Sequence, residues 1–379
     1  MSRFAELDAA ALPTPCFVID EQALARNLEI LDTVQKQGGA RVLLALKAFA
    51  TPAVADLLMA TLAGTAASGL FEARLGREHF GKEVHTFSVA FRPDDFARVL
   101  ELSDHVVLNS ASQWRRFAAE AAAAGVEVGL RVNPRVGAAP NPLYDPCAPR
   151  SRLGAVAETL TGLDLTPLSG VHVHALCEQG LPPLETTVAA LEGAFGALLA
   201  RSRWLNLGGG HRITAPGYDV DGLCRLTRAL AERHGVTVYL EPGEAVVYGA
   251  GVLVAEVLDI VDNDGPVAVL DASATCHTPD VIEARYRPDV LGAGAPGELG
   301  YDCRLAGGTC LAGDVFGDYS FAAPLSVGDR VTFLDQAPYT MVKTNTFNGM
   351  PLPSVAVWRR DGDLDVVKRF GYDEFARRL

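Results

Sequence analysis

Four features of the sequence could carry chemistry, and each one follows a short apolar run. Lys47 ends VLLALK, Gly208–Gly210 follow WLNL, Glu241 ends TVYLE, and His174 lies in GVHVHA. A partly desolvated lysine has a lowered pKa and can attack a carbonyl carbon. A glycine-rich turn exposes backbone N–H groups to an anion, while a carboxylate can pair with a protonated ring nitrogen.

Together these residues predict a site for pyridoxal 5'-phosphate. Lys47 would form a Schiff base with the cofactor, the three glycines would hold its phosphate, and Glu241 would keep its ring nitrogen protonated. The His174 imidazole would stack on the ring. Each residue taken alone also has a structural explanation: a lysine that reaches solvent, a tight turn, a bracing carboxylate, and a buried core histidine, which is the role we favour for His172.

The elements that must position these residues repeat between Val42 and Glu241. Continuous apolar strands that alternate with helical patterns are typical of a parallel sheet covered by helices, and eight units in about 200 residues predict a TIM-like (β/α)8 barrel, whose functional residues lie at the carboxyl ends of the strands. An open, doubly wound sheet is the alternative, but no GxGxxG follows the first strand. The eight runs are VLLAL (42–46), GTAAS (64–68), HTFSV (85–89), HVVLN (105–109), VGLRVN (128–133), GVHVHA (170–175), WLNLG (204–208) and TVYLEP (237–242).

The pattern changes from about Gly251 onward to short alternating strands separated by turn residues. This pattern predicts an antiparallel β-domain, to which the N-terminal segment CFVID is expected to add a strand. We therefore assign 25–250 to the barrel, as the cofactor-binding domain, and 1–24 with 251–379 to the β-domain. The proline-rich segment 134–150 is either a functional loop at the barrel top or a disordered excursion.

Composition excludes several function classes. The chain has 379 residues with 33 basic and 46 acidic side chains, a net charge of −13, so a nucleic-acid partner is not expected; the acidic surplus serves solubility or a cationic ligand. No apolar run approaches the roughly 20 residues that span a bilayer, so we expect no membrane association. The first residues do not form a secretion signal, so we expect a cytoplasmic protein. The seven cysteines show no metal-ligand spacing, which predicts free thiols and no metal.

The sequence resembles the fold-type III, alanine racemase-like pyridoxal phosphate decarboxylases over nearly the whole chain. The matching stretches include LLALKAF, GVHVHALCEQ, NLGGGHRIT, YLEPGEAVV, GGTCLAGDVFGDYSF and APYTMVKTNTFNGM. Within this group it is most similar to the carboxynorspermidine/carboxyspermidine decarboxylases, as CHTPDVIE and EPGEA indicate. The resemblance implies decarboxylation of carboxynorspermidine or carboxyspermidine to norspermidine or spermidine, in polyamine biosynthesis.

The resemblance also implies a role for each matching position. Cys310, in GGTCLAGD, would donate a proton to the product across the interface of a homodimer with shared active sites, and Tyr339 would reach the phosphate of the partner's cofactor. Asp314, Asp271 and Glu283 are the candidates for binding the amines of a polycationic substrate. In the barrel, the implied cofactor ligands are Lys47, His174, Gly208, Gly209, Gly210 and Glu241.

The sequence departs from the family pattern at two positions. Glu244 stands where related decarboxylases carry a phosphate-binding arginine, and Cys177 replaces a serine that commonly follows the stacking histidine. Both differences argue against an ornithine or diaminopimelate enzyme, although a diaminopimelate or another basic amino-acid decarboxylase of this fold stays the nearest alternative. A racemase is disfavoured by TCLAGD. A regulator without the cofactor is the non-enzyme alternative, and the retention of Lys47, Glu241 and Cys310 argues against it.

Overall fold

The computed structural model describes residues 3–137, 139 and 142–379, and it contains two compact units. One unit is Ala25–Val246, and the other combines the segment up to Leu24 with Val247–Leu379. Part of the predicted loop 134–150 lies outside the described residues; within the described part, a 3-10 turn covers Pro142–Tyr144.

Eight parallel strands close into a barrel in the unit Ala25–Val246, which confirms the predicted (β/α)8 fold. Each strand pairs with the next along the chain, and the first barrel strand pairs with the last. With β1 (Cys16–Asp20) counted first along the chain, the barrel strands are β2 (Arg41–Ala45), β3 (Gly64–Ala67), β4 (Glu83–Phe87), β5 (His105–Leu108), β6 (Glu127–Arg131), β7 (Gly170–His172), β8 (Trp204–Asn206) and β9 (Thr237–Leu240).

Trp204 fills the interior of the barrel. A Cβ atom on Gly129 or Gly170 would lie 2.2 or 2.0 Å from the indole ring, so both glycines are required by the close approach of this side chain. Leu43, Val107 and other buried side chains complete the core around it. The interior is therefore packed, and the site must lie at the strand ends.

Helices follow the barrel strands, and their ends carry the expected signals. Ser110 accepts the N–H of Gln113 at the start of one helix, and Gly235, at φ +64°, ends another. No described helix is both long and apolar enough to cross a membrane. The helices of the first part of the chain are α1 (Glu21–Gly38), α2 (Ala55–Thr61), α3 (Leu70–Leu75), α4 (Pro93–Leu102), α5 (Ala111–Ala123), α6 (Leu181–Leu199), α7 (Val220–His234) and α8 (Glu244–Val247).

The second unit is built on an eight-stranded sheet. Its strands are β1, β10 (Gly251–Asp262), β11 (Pro266–Leu270), β12 (Tyr301–Ala306), β13 (Val315–Phe321), β14 (Arg330–Phe333), β15 (Ser354–Trp358) and β16 (Leu364–Lys368), and its short helices are α9 (Ala274–His277), α10 (Asp280–Glu283), α11 (Thr340–Lys343) and α12 (Tyr372–Ala376). The strands lie in the order β13-β12-β11-β10-β1-β15-β16, and β14 pairs with β10.

The N-terminal strand joins this sheet as predicted, between β10 and β15. Most neighbours are antiparallel, but β1 runs parallel to β15, and β11 runs parallel to β12. The connection from β11 to β12 contains α9 and α10, so it is long enough for the crossover that a parallel pair needs. The predicted β-domain is therefore a mixed sheet rather than a purely antiparallel one.

Candidate functional site

The barrel brings the predicted cofactor residues of this unit together. Lys47, His174 and Glu241 follow β2, β7 and β9, and the glycine loop follows β8, so all four lie at the carboxyl ends of the strands. The N–H of Gly209 donates to Nδ1 of His174 over 3.2 Å. Lys47 and Glu241 are close enough for each charge to alter the pKa of the other group.

Glu241 is held by two side chains from the neighbouring strands. Its Oε1 accepts the Nδ2 amide of Asn206 over 2.7 Å, and its Oε2 lies 3.3 Å from Nε2 of His172. Burial disfavours the charged carboxylate, but the His172 imidazole together with the charges of His85 and Lys47 outweighs this effect, and the pKa of Glu241 is lowered to about 2. An ionised carboxylate in a fixed position suits a protonated ring nitrogen. His172 is buried and hydrogen-bonded, as predicted.

Lys47 is exposed to solvent, yet enough protein surrounds its ammonium group that loss of hydration lowers its pKa. Glu241 opposes this effect, because its negative charge favours the protonated amine. Desolvation is the largest of these influences, so the pKa of Lys47 is lowered overall. A larger fraction of the amine is then neutral and able to react with a carbonyl carbon.

The His174 imidazole is neutral at physiological pH. Burial lowers its pKa well below the ordinary value, and the positive charges of Lys47 and Arg131 lower it further. Arg131 ends β6 at the same rim, and the sequence assigns it no role there. It donates to the carbonyl of His174 over 3.1 Å, and its guanidinium lies 4.7 Å from the centre of the Phe87 ring. A neutral, fixed imidazole can lie against a flat cofactor ring.

Two groups of side chains have the composition of a metal site. The possible ligand atoms of His172, His174 and Glu241 lie within 4.8 Å of one another, a donor set that could bind a divalent cation. The second group adds Glu83 to the two imidazoles of His85 and His105. The rings of His85 and His105 are stacked 3.8 Å apart at 12°.

The glycine loop fits a phosphate group. A Cβ on Gly209 would lie 2.2 Å from the carbonyl oxygen of Glu241, and one on Gly210 would lie 2.0 Å from that of Leu176, so no larger residue can replace either glycine without a shift. In the part of the chain that the structure describes, the amides of Gly210 and His211 donate to no acceptor. Two successive free amides are suited to an anion.

Glu244, at the position of the family arginine, is paired with a different arginine. Its Oε1 lies 3.0 Å from Nε of Arg212, whose Nη2 also contacts Glu178 over 2.7 Å. Cys177, beside these carboxylates, keeps its proton, because burial and the charge of Glu178 raise its pKa to about 11. Arg212 immediately follows GGGH, but nothing in the sequence connects it to Glu244.

The remaining predicted residues lie in the sheet unit. Cys310 is exposed and its thiol is free, and its backbone N–H donates to Oδ1 of Asn348 over 2.7 Å. Tyr339 is 36% exposed and has a φ of +60°, a strained value for a tyrosine. Asp314 is 2% exposed, and its carboxylate accepts the hydroxyls of Ser273 and Thr309.

Asp271 and Glu283 both have partners in the same unit. Oδ1 of Asp271 accepts the N–H of Glu256 over 2.8 Å, and burial raises the pKa of Asp271. Glu283 accepts the Lys343 ammonium over 2.8 Å, which lowers the pKa of Glu283. The roles of these residues and of Asp314 in substrate binding stay predictions.

Comparison with known proteins identifies the family. The model of the family described as "Pyridoxal-dependent decarboxylase, C-terminal sheet domain" matches residues 16–337. A carboxyaminopropylagmatine decarboxylase of Synechocystis sp. is 42% identical over 374 residues (98% of this chain, 96% of that protein). A carboxynorspermidine/carboxyspermidine decarboxylase of Campylobacter jejuni is 40% identical over 380 residues (97% and 98%).

Solved structures agree with these relatives. The crystal structure of carboxynorspermidine decarboxylase from Campylobacter jejuni, complexed with norspermidine, matches this chain with a TM-score of 0.91 and 38% sequence identity. The match covers 97% of this chain and 100% of that one. The predicted enzyme class and cofactor are confirmed. This chain belongs to the pyridoxal-dependent decarboxylases, and its cofactor is pyridoxal 5'-phosphate.

Proposed function

We propose that this enzyme decarboxylates carboxynorspermidine or carboxyspermidine, yielding norspermidine or spermidine in polyamine biosynthesis. One observation carries the proposal: the chain matches, over 97% of its length, a carboxynorspermidine decarboxylase whose structure contains norspermidine. A diaminopimelate decarboxylase of Streptomyces coelicolor is more distant, at 30% identity over 69% of this chain.

The chain's own residues have defined tasks in this reaction. The bound cofactor supplies an electron sink for the charge that remains when carbon dioxide leaves. Lys47 attaches the cofactor through its amine, and the amides of Gly210 and His211 bind its phosphate. Glu241, ionised and oriented by Asn206, holds a proton on the ring nitrogen. His174 lies against the ring and fixes its plane.

A second copy of the chain completes the site in this proposal. The sheet unit would present Cys310 and Tyr339 to the barrel of the partner, where the Cys310 thiol protonates the α-carbon. The exposed apolar side chains of Leu311 and Phe347, near these two residues in sequence, support an interface at this surface. Asp314, Asp271 and Glu283 remain the candidates for binding the substrate's distal amines.

Carboxyaminopropylagmatine is a second candidate substrate, because the Synechocystis relative that acts on it is 42% identical to this chain. An agmatine end carries a planar guanidinium group, whereas a norspermidine end carries a compact ammonium group, so one pocket should discriminate between them. The polycation would in either case meet a protein with a net charge of −13.

The decisive experiment measures kcat/KM for carboxynorspermidine, carboxyspermidine, carboxyaminopropylagmatine and diaminopimelate with the purified holoenzyme. Carbon dioxide release gives the rate, and mass spectrometry identifies the product. We expect one carboxylated polyamine to exceed diaminopimelate by at least about 100-fold. Equal values for diaminopimelate would refute the proposal. We also place the reaction in the cytoplasm, where the seven free cysteines would stay reduced.

A further inference from the structure

Asn348 holds the backbone of Cys310, although the proposed mechanism gives Asn348 no role. Its Oδ1 accepts the backbone N–H of Cys310 over 2.7 Å, and the two residues lie 38 positions apart in the chain. The bond therefore joins two loops of the sheet unit, 307–314 and 345–351, which we call the cysteine loop and the asparagine loop. It fixes the peptide from which the exposed Cys310 side chain projects.

The conformation of Asn348 suits this contact. Its φ of +60° and ψ of 17° place it in the left-handed region, within the turn Phe347–Gly349. Asparagine adopts this region more readily than most residues other than glycine, and it carries a side-chain acceptor that glycine lacks. Asparagine therefore meets both requirements of the position, a left-handed backbone and an acceptor for the Cys310 amide.

The cysteine loop is closed on the buried carboxylate of Asp314. The N–H and the hydroxyl of Thr309 donate to Oδ2 of Asp314 over 3.1 and 2.7 Å, and the N–H of Asp314 donates to the carbonyl of Leu311 over 2.9 Å. The hydroxyl of Ser273, just before α9, donates to the same carboxylate over 2.9 Å. Both neighbours of Cys310 are therefore tied to Asp314, while the Cys310 amide takes its acceptor from the other loop.

The asparagine loop is anchored to α9 near both of its ends. The backbone N–H and the Nδ2 group of Asn345 donate to the carbonyls of Cys276 and Thr275, both over 2.9 Å. Further along, Nε2 of the buried His277 donates to the carbonyl of Pro351 over 2.9 Å. Since the N–H of Thr275 also donates to the cysteine loop, α9 connects the two loops, and the bond from one loop to the other closes the set of contacts.

We propose that Asn348 is a positioning residue for Cys310, and that its hydrogen bond holds the thiol where it delivers a proton to the α-carbon. The proposal rests on the proposed function, in which Cys310 is the proton donor. A donor acts only within hydrogen-bond reach of the atom that it protonates, so a displaced Cys310 peptide slows the transfer. Asn348 acts through Cys310 and not through the substrate, and its loss should lower kcat and leave KM nearly unchanged.

The first measurement follows the hydrogen bond itself. Asn348→Gly keeps a residue that adopts the left-handed region but removes the acceptor, whereas Asn348→Asp keeps an oxygen at the position of Oδ1. Hydrogen–deuterium exchange of the Cys310 amide is measured on the full-length holoenzyme by mass spectrometry with residue-level fragmentation. We expect exchange to become about three- to tenfold faster in Asn348→Gly, the effect of one hydrogen bond, and to stay within about twofold of wild type in Asn348→Asp.

The second measurement follows the proton transfer, with the carboxylated polyamine that the enzyme prefers. In Asn348→Gly we expect kcat to fall at least about tenfold and KM to stay within about threefold of wild type. The solvent deuterium isotope effect on kcat should rise, because protonation becomes slower relative to the other steps. A merely structural loss would reduce the amount of active enzyme and leave the isotope effect at its wild-type value. Asn348→Asp should recover most of kcat.

The matched control is Asp264→Gly, which replaces another exposed residue of positive φ, at +57°, in the turn between β10 and β11. It should leave the Cys310 exchange rate, kcat and the isotope effect unchanged. Unchanged exchange or an unchanged isotope effect in Asn348→Gly would overturn the proposal, as would equal changes in Asp264→Gly. Full kcat in Cys310→Ala would refute the proton donor itself, whereas a failure confined to Asn348→Gly refutes only the positioning role.

Discussion

The Nδ2 amide of Asn206 donates to Oε1 of Glu241 over 2.7 Å, from the end of one barrel strand to the end of the next. The bond orients the carboxylate that we assign to the ring nitrogen and favours its charged form. Asn206 is thus a positioning residue for Glu241, and its contribution can be separated from that of the carboxylate itself.

We expect Glu241→Gln to lower kcat by at least about 100-fold, because the ring nitrogen loses the carboxylate that holds its proton. Asn206→Ala should lower kcat by about tenfold, equivalent to about 1.4 kcal/mol, since the carboxylate remains but is less well oriented. Steady-state kinetics and the pH profile of kcat check this. Equal losses in the two variants would contradict a positioning role for Asn206.

Complementation tests the shared active site. Lys47→Ala and Cys310→Ala should each be inactive alone, because one lacks the cofactor lysine and the other lacks the proton donor. After an equal mixture exchanges subunits, half of the dimers should be mixed, each with one intact site, so we expect about a quarter of the wild-type activity. Activity that stays at the level of the single variants, although exchange is verified by mass spectrometry of tagged subunits, would place both residues in one subunit's site.

The variant Asp314→Asn tests whether Asp314 binds substrate or stabilises the fold. Its buried carboxylate accepts the hydroxyls of Ser273 and Thr309 as well as backbone N–H groups. One amide oxygen cannot replace all of these bonds, so Asp314→Asn should lower the unfolding free energy by about 1 to 3 kcal/mol. Denaturant unfolding and KM are measured together, with the exposed Asp318→Asn as the control. A KM increase of about tenfold or more at unchanged stability would support substrate binding instead.

Two buried histidines predict acid lability of the fold. Burial lowers the pKa of His211 and of His277 to about 4, whereas an unfolded histidine titrates near about 6.5. Between these values the unfolded chain binds more protons, so the unfolding free energy falls as the pH is lowered, by up to about 1.4 kcal/mol per pH unit for each histidine. Urea unfolding of the apoenzyme at pH 7 and pH 5 measures this loss. His211→Gln should reduce it, and an identical loss in that variant would contradict the assignment.

Gly209→Ala tests the close packing of the glycine loop. The added Cβ would meet the carbonyl of Glu241 at 2.2 Å, so the loop must shift. We expect at least about tenfold weaker binding of pyridoxal 5'-phosphate, a loss of about 1.4 kcal/mol. Gly193→Ala is the control: its Cβ would meet nothing within 4 Å in α6, and the gain in helix propensity should stabilise the protein by about 0.5 to 1 kcal/mol. Comparable cofactor binding in the two variants would contradict the proposed loop geometry.

Sequence patterns predict the barrel well, because each buried parallel strand is a continuous apolar run and the polar residue that follows it marks the rim. The grouping of Lys47, His174 and Glu241 follows from that rule alone. The sequence does not predict the bond from Asn206 to Glu241, because that contact depends on the register between two strands. It also does not predict the partners of Asp314, because Ser273 and Thr309 meet its carboxylate through the tertiary fold and not through any local pattern.

The position of β1 has a consequence for the synthesis of this protein. β1 lies inside its sheet, between β10 and β15, and the whole barrel segment separates β1 from both of these partners in the chain. During translation the barrel segment leaves the ribosome before either partner exists, so both edges of β1 stay unpaired until β10 and then β15 are made. A deletion that removes β1 should leave β10 and β15 without the strand that joins them.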